Sequence, residues 1–232
     1  LQQLDDLPEA RRKLGWIVGR DTADLDRSAI LRALAETATE NGVDGLFAPL
    51  FWMLVGACLW AINPAWPGPV SLAWAFKAAS TLDSMLGYRR GKLAWLGTAG
   101  ARLDDLLVWL PCRLVALTLP LASSQSLGKA VPMCWPTLRT ALKEGAADPS
   151  PNAGVSQAAY AHVGQVQLGG PNRYGGQIKV KPTLGAGLGA PDPAAIGELL
   201  AMSQKLEQIW LVGASLLMAL PALGIFITKT LS

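Results

Sequence analysis

The chain holds one histidine, His162, and three cysteines in 232 residues. A single imidazole excludes any site that needs several, and neither a Ser/His/Asp pattern nor a GxSxG motif occurs. Cys58, Cys112 and Cys134 share no CxxC or Cys/His spacing, and two of them lie inside apolar runs where a small hydrophobe serves. These three and His162 are read as structural. No GxxxxGK[ST] is present, which excludes a P-loop, and the GxGxG echo from Leu184 lacks the strand and helix that give such a motif meaning. Charged residues make up only 16% and the net charge of +3 is scattered, which does not suggest nucleic-acid binding. With no internal repeat, a solenoid is excluded.

What the chain has in abundance is apolar surface, with 51% hydrophobic residues and a mean hydropathy of +0.30, too apolar for an ordinary soluble domain. The bilayer is the expected solvent. Leu46 to Ile62 carries no charge and approaches the ~20 residues that cross a bilayer core. Asn63 to Val70 holds turn formers and a Trp suited to the headgroup region, so the chain is expected to return through Ser71 to Leu86. Lys77 and Asp83 on that return are expected to face a protein interior or cavity, because ionisable groups at membrane depth are costly. A further apolar run from Leu106 is broken by Pro111, Arg113 and Pro120 and reads as a kinked span or a re-entrant element. Ile209 to Ile227 is the clearest span. The fold class is therefore all-α, a polytopic helical integral membrane protein with polar cytoplasmic loops, in a single domain over residues 1–232.

The polar segments lie between these runs. Residues 1–40 are helix-forming, with Ile30, Leu31 and Leu34 on one face and Glu36 and Glu40 roughly opposite, which predicts a surface or interfacial helix. Tyr88 to Arg102 reads as a basic loop, Leu138 to Gly145 as a short amphipathic helix, and Ala146 to Gly197 as a long functional loop. Within that loop Val163 to Leu168 and Gln177 to Val180 are candidates for one short β-hairpin, at a spacing wider than a two-residue turn. The positive-inside rule places the basic stretches near Arg11 to Arg20 and Arg89 to Lys92 in the cytoplasm. The chain opens Leu1-Gln2-Gln3-Leu4 without a leader pattern, and its natural N-terminus is expected upstream.

Glu36, Glu40 and Asp44 recur every four residues and line one helix face if the helix continues through Gly42. They suit Mg²⁺ with a nucleotide, or form a solvated acidic face, with Asn41 as a C-terminal cap signal. Asp104 and Asp105 precede an apolar run, where they either cap a helix or, with Arg102, bind metal and phosphate. The segments from Asp148 to Gly154 and Leu168 to Gly176 offer backbone N–H groups to phosphate or are glycine-rich turns.

These segments, in this order, resemble the CobD/CbiB family over essentially the whole chain. The resemblance rests on VGRDT at Val18 to Thr22, ETATENGVDG at Glu36 to Gly45, TLDSMLGY at Thr81 to Tyr88, ARLDDL at Ala101 to Leu106, SPNAG at Ser150 to Gly154 and QLGGPNRYGG from Gln167. The chain departs from the commoner family wording at Gly42, at Ser80 and at Val155-Ser156-Gln157, where Trp-Pro-Glu is frequent.

The resemblance implies an ATP-dependent amide ligase of cobalamin biosynthesis in the bacterial inner membrane, multi-pass, joining adenosylcobyric acid to aminopropanol or its phosphate. ATP and Mg²⁺ are its implied cofactors, and the bilayer and other cobalamin-assembly enzymes its implied partners. On this reading Glu36, Glu40, Asp104 and Asp105 are catalytic and Asp44 and Asp83 hold metal. Arg20, Asp21, Asn41, Tyr88, Arg102, Asn152 and Asn172 bind substrate or nucleotide. The competing reading is a non-enzymatic membrane sensor or carrier that reuses the fold.

Overall fold

The computed structural model describes residues 4–86, 94–123 and 125–230, with side chains described up to residue 219. Helix α1, Leu7–Leu14, starts at Asp6, whose side chain accepts the N–H of Glu9. Helix α2, Arg27–Gly42, starts likewise at Asp26. It does not stop at Asn41-Gly42. A π-helical turn over Val43–Phe47 carries it into α3, Ala48–Ile62, so the cap reading of Asn41 is overturned. The chain reverses over residues 63–68 as expected and returns as α4, Pro69–Leu86.

Helix α5 spans Ala94–Thr118 and passes through Pro111 unbroken before a 3₁₀ turn at Leu119–Ala122. It corrects two expectations. The stretch up to Arg102, read as a loop, is helical from Ala94, and Asp104 and Asp105 stand in the helix interior rather than at its N-terminus. The weakly apolar sequence GTAGAR hides this start, because small residues give no periodic signal.

Helix α6, Leu127–Gly145, is longer than the amphipathic piece expected, continuing through Pro132 and Pro136. The region read as a long loop contains a further helix, α7, Ala153–Val163, and this is the most buried element of the protein. Gly145 and Gly154 let α6 and α7 touch backbone to backbone. A Cβ on Gly145 would stand 2.5 Å from the carbonyl carbon of Gly154. Around α7 gather Phe47, Val115, Leu119, Leu199 and Leu206, all at 0–1% exposure.

Strand β1, Leu168–Tyr174, pairs antiparallel with β2, Gln177–Leu184, with Tyr174 opposite Gln177. The expected hairpin exists, but with a different first strand. The glycine-rich segment is itself β1, and Gly175-Gly176, at φ 56° and 80°, forms the tight two-residue turn the expectation denied. Glycine and proline signals in LGGPNRY favoured a loop; pairing with β2 overrode them.

Helix α8, Pro193–Thr230, closes the fold and carries the final apolar run. Among the described residues two helices are long and apolar enough to cross a membrane, Arg27–Ile62 and Trp95–Ala122. Their surroundings expose Trp60, Trp74, Trp95, Trp109 and Leu106.

Candidate functional site

The VGRDT segment and the β-ribbon, about 150 residues apart in sequence, meet on the polar half of α2. Arg20 sends one guanidinium N–H to Glu36 Oε2 and another, at 2.7 Å, to Asn172 Oδ1. Glu36 is 1% exposed and its other oxygen accepts the backbone N–H of Gly169 at 2.8 Å. Arg32 adds a contact to the Pro171 carbonyl at 3.0 Å. The helix face expected to be solvated is thus covered by the ribbon, and Glu36 is a buried, paired anion. Asn172 keeps a buried side-chain nitrogen without a hydrogen-bond partner.

Asp21 performs a neighbouring task. Its two oxygens accept the N–H groups of Gly175 at 3.0 Å and Gly176 at 2.7 Å. Those two donors hold its carboxyl below the usual aspartate range. Asp21 therefore fastens the hairpin turn to the loop after α1.

One turn of α2 further along, Glu40 Oε2 accepts a hydrogen bond from Gln157 Nε2 on α7 at 2.9 Å. Gln157 is 1% exposed, and its own oxygen has no partner. Glu40 feels the charges of Glu36 and Arg20 on one side and of Asp148 and Lys181 on the other, where Lys181 Nζ lies 3.7 Å from Asp148. Asp44 in the π turn is within electrostatic reach of Glu40, Asp83, Asp104 and Asp105. Ser80 hydrogen-bonds Asp104, and Lys77 is the cation that acts on it. One oxygen of Asp104 is buried without a partner.

The structure thus brings Glu40, Asp44, Asp83, Asp104 and Asp105 together from α2, the π turn, α4 and α5. A π turn is a frequent device at functional sites, since it shifts the face that the following residues present. Of the two groups on α4 expected to point inward, Asp83 is half-buried beside this set, while Lys77 is exposed.

Asn152 stands at the entry to α7 and is tied on both ends. Its amide donates to the Asp105 carbonyl at 2.9 Å and its oxygen accepts Arg113 at 2.5 Å. Asn41 and Arg102 are exposed. Tyr88 lies outside the described residues.

Gln157, Lys181, Asp148 and Arg113 belong to the site but escape sequence reasoning. The signals were position alone: Asp148 opens a Pro/Asn/Gly segment and Gln157 stands where Glu is frequent in the family, whereas nothing in KVKPT marks Lys181.

Mg²⁺ takes one or two carboxylates together with waters and phosphate oxygens. Among the described residues no three His, Cys, Asp or Glu groups stand close enough to hold a metal by themselves. A set of mutually repelling aspartates with an unpartnered oxygen on Asp104 nevertheless fits a hard cation that brings its own water and phosphate ligands.

Fold and site define a largely helical protein whose long apolar helices carry an acidic, asparagine-bearing polar site beneath a β-ribbon. The chain belongs to the CobD/CbiB family: the family described as CobD/Cbib protein matches residues 1–203. It is 44% identical over 219 residues to a cobalamin biosynthesis protein CobD of Synechocystis, a match covering 94% of this chain and 60% of the relative. It is 42% identical over 195 residues to a CobD of Pelobacter propionicus, covering 82% of this chain and 54% of the relative. With a cobalamin biosynthesis protein CbiB of Salmonella typhi it shares 41% identity over 181 residues, 78% of this chain and 52% of the relative. The chain therefore spans between half and two thirds of the length of these curated relatives. No solved structure matches it.

Proposed function

We propose that this chain carries the reaction site of an ATP-dependent ligase of cobalamin biosynthesis, which joins adenosylcobyric acid to 1-aminopropan-2-ol or its phosphate. The observation that carries the reading is the convergence of Glu40, Asp44, Asp83, Asp104 and Asp105, with the cations Arg20, Lys77 and Lys181 at its edges. Amide synthesis from a carboxylate needs an activated acyl group, and ATP supplies that activation. The protein must then position two reactants, neutralise phosphate charge and accept a proton from the incoming ammonium.

Each requirement has residues to meet it. Asp44 and Asp83, with the unpartnered oxygen of Asp104, would hold Mg²⁺, which supplies charge neutralisation on phosphate oxygens when bound. Glu40 and Asp105 are the candidates for accepting the ammonium proton, with Gln157 orienting Glu40. Glu36 acts by holding Arg20 and the ribbon in place, because both its oxygens are engaged. Asn172, with a free amide N–H, and Asn41, exposed on the same helix as Glu40, are placed to meet the amide-rich rim of a corrinoid.

The exposed tryptophans and the two long apolar helices support a setting in the bacterial inner membrane, with this polar site at the cytoplasmic side.

The test is ADP release by the full-length protein that depends on both adenosylcobyric acid and the amine. Turnover that survives Glu40→Gln, Asp104→Asn and Asp105→Asn combined overturns the acidic site. Binding of corrinoid without ATP consumption favours the carrier or sensor reading.

A further inference from the structure

A proline in a helix interior has no N–H to give to the carbonyl four residues back. Pro111 stands inside α5, so the carbonyl it releases is that of Leu107. Leu107 is partly buried against the core, where a carbonyl without a donor is costly. Pro132 and Pro136, inside α6, release the carbonyls of Gly128 and Pro132, both exposed residues that solvent can serve. The Leu107 carbonyl is served by a side chain instead: the indole Nε1–H of Trp52, on α3, donates to it at 3.1 Å. Tryptophan suits this task, since its one polar group is a donor and the rest of its ring is apolar. Trp52 packs against the same core, with the Phe51 ring edge-on to it at a centroid distance of 5.3 Å.

Both ends of this bond lie close to the acidic group. Asp44 stands about two turns before Trp52 on the continuous helix, and Asp104 and Asp105 stand within the turn before Leu107. Asp104 and Asp105 are within electrostatic reach of Asp44. Helices packed through apolar side chains slide past one another in small steps, whereas a hydrogen bond to one carbonyl selects one register. Asn152 holds this stretch of α5 to the start of α7, through the Asp105 carbonyl at 2.9 Å. Trp52 holds it to the helix that carries Asp44.

We infer that Trp52 is a positioning residue: by taking the carbonyl that Pro111 releases, it fixes the register of α5 on α3 and with it the placement of Asp104 and Asp105 opposite Asp44. The inference rests on the ligase reading for the chemistry of these carboxylates, and on the Trp52–Leu107 bond for the register.

The full-length protein is compared with Trp52→Phe, Pro111→Ala and the double variant. Trp52→Phe keeps an aromatic ring and removes the donor. It is expected to lower the melting temperature, because the Leu107 carbonyl loses its partner. It is also expected to lower kcat for substrate-dependent ADP release about tenfold, with KM for adenosylcobyric acid and for the amine unchanged. Pro111→Ala supplies the missing N–H from within the helix. In that background Trp52→Phe is expected to cost less than half as much in melting temperature and yet to lower kcat by the same factor, since the link between the helices is still lost. An unchanged kcat in Trp52→Phe, recovery of kcat along with stability in the Pro111→Ala background, or equal melting losses in the two backgrounds overturns the inference. Register is read without substrate from spin labels on the exposed Cys58 of α3 and on Leu103→Cys of α5, with every other reactive cysteine replaced by serine. Trp52→Phe is expected to broaden their distance distribution in both backgrounds, and an unchanged distribution overturns the inference as well. A parent that releases no ADP while the label distances respond as expected ends the ligase reading and leaves the register assignment in place.

Discussion

Gln157 on α7 gives its side-chain N–H to Glu40 on α2 at 2.9 Å, and Glu40, like the aspartates that α4 and α5 supply, lies within electrostatic reach of Asp44. A neutral amide fixes a carboxylate there without adding charge. The bond joins the most buried helix to the face that carries the proposed chemistry.

Gln157→Leu removes that donor and leaves Glu40 without it, with an expected loss of about 1–3 kcal/mol of stability in denaturant titrations. Gln157→Glu sets a second carboxylate against the first. One of the pair must then hold its proton, so this variant is expected to lose stability, relative to the parent, as pH rises above the carboxylate range. Thermal melts from acid to neutral pH check the sign, and an unchanged difference across that range contradicts it.

The Arg20–Glu36 pair is buried on both sides, with side-chain exposures of 8% and 1%. Glu36→Gln strands the guanidinium charge and should cost about 3–5 kcal/mol, whereas Arg20→Met with Glu36→Met together should cost less than Glu36→Gln alone. Chemical denaturation of the three proteins gives the ordering directly.

Asp21 supplies a pH dependence local to the ribbon. Its folded carboxyl is held below its unfolded value by the Gly176 and Gly175 N–H groups. Its contribution is therefore complete above the unfolded value and is lost as pH falls through the folded one. Protection of the Gly175 and Gly176 amides, taken relative to their intrinsic exchange rates, should fall over that acidic window in the parent, and the window should vanish in Asp21→Asn.

Gly169 donates to Glu36 from φ 81°, and a Cβ there would stand 1.9 Å from the Pro182 carbonyl oxygen. Gly169→Ala is expected to displace β1 and loosen Arg20 from Asn172. Gly176→Ala at φ 80° meets no atom within 4 Å and should pay only the backbone strain. Melting temperatures of the pair separate the two effects.

Much of this was legible before any coordinate. The uncharged run from Leu46 to Ile62, the return that follows its turn and the apolar stretch from Leu106 each became helix, because burial or lipid contact rewards apolar residues whatever their neighbours are. The residue types of the site were also visible: Glu36, Glu40, Asp44, Asp83, Asp104 and Asp105 were singled out as a chemistry-bearing set, and the structure puts Glu40 and the aspartates around Asp44 but spends both oxygens of Glu36 on Arg20 and Gly169. Asp104 and Asp105 were misplaced at a helix start, since an aspartate before an apolar run looks the same as a cap and as a mid-helix carboxylate. The roles of Gln157 and Lys181 were not legible because each acts through a partner more than thirty residues away in sequence.

Sequence by itself determined the apolar helices, the family and the list of ionisable groups, all of which follow from local composition or from ordered motifs. Tertiary structure alone decided that Glu36 is a buried strut and Glu40 a presented carboxylate. The two lie four residues apart on one helix, and what separates them is the cover each receives: Arg20 and the Gly169 N–H over the first, a single amide of Gln157 beside the second. That difference is one of desolvation and hydrogen bonding, which depend on what the fold lays against a residue and not on what stands next to it in the chain.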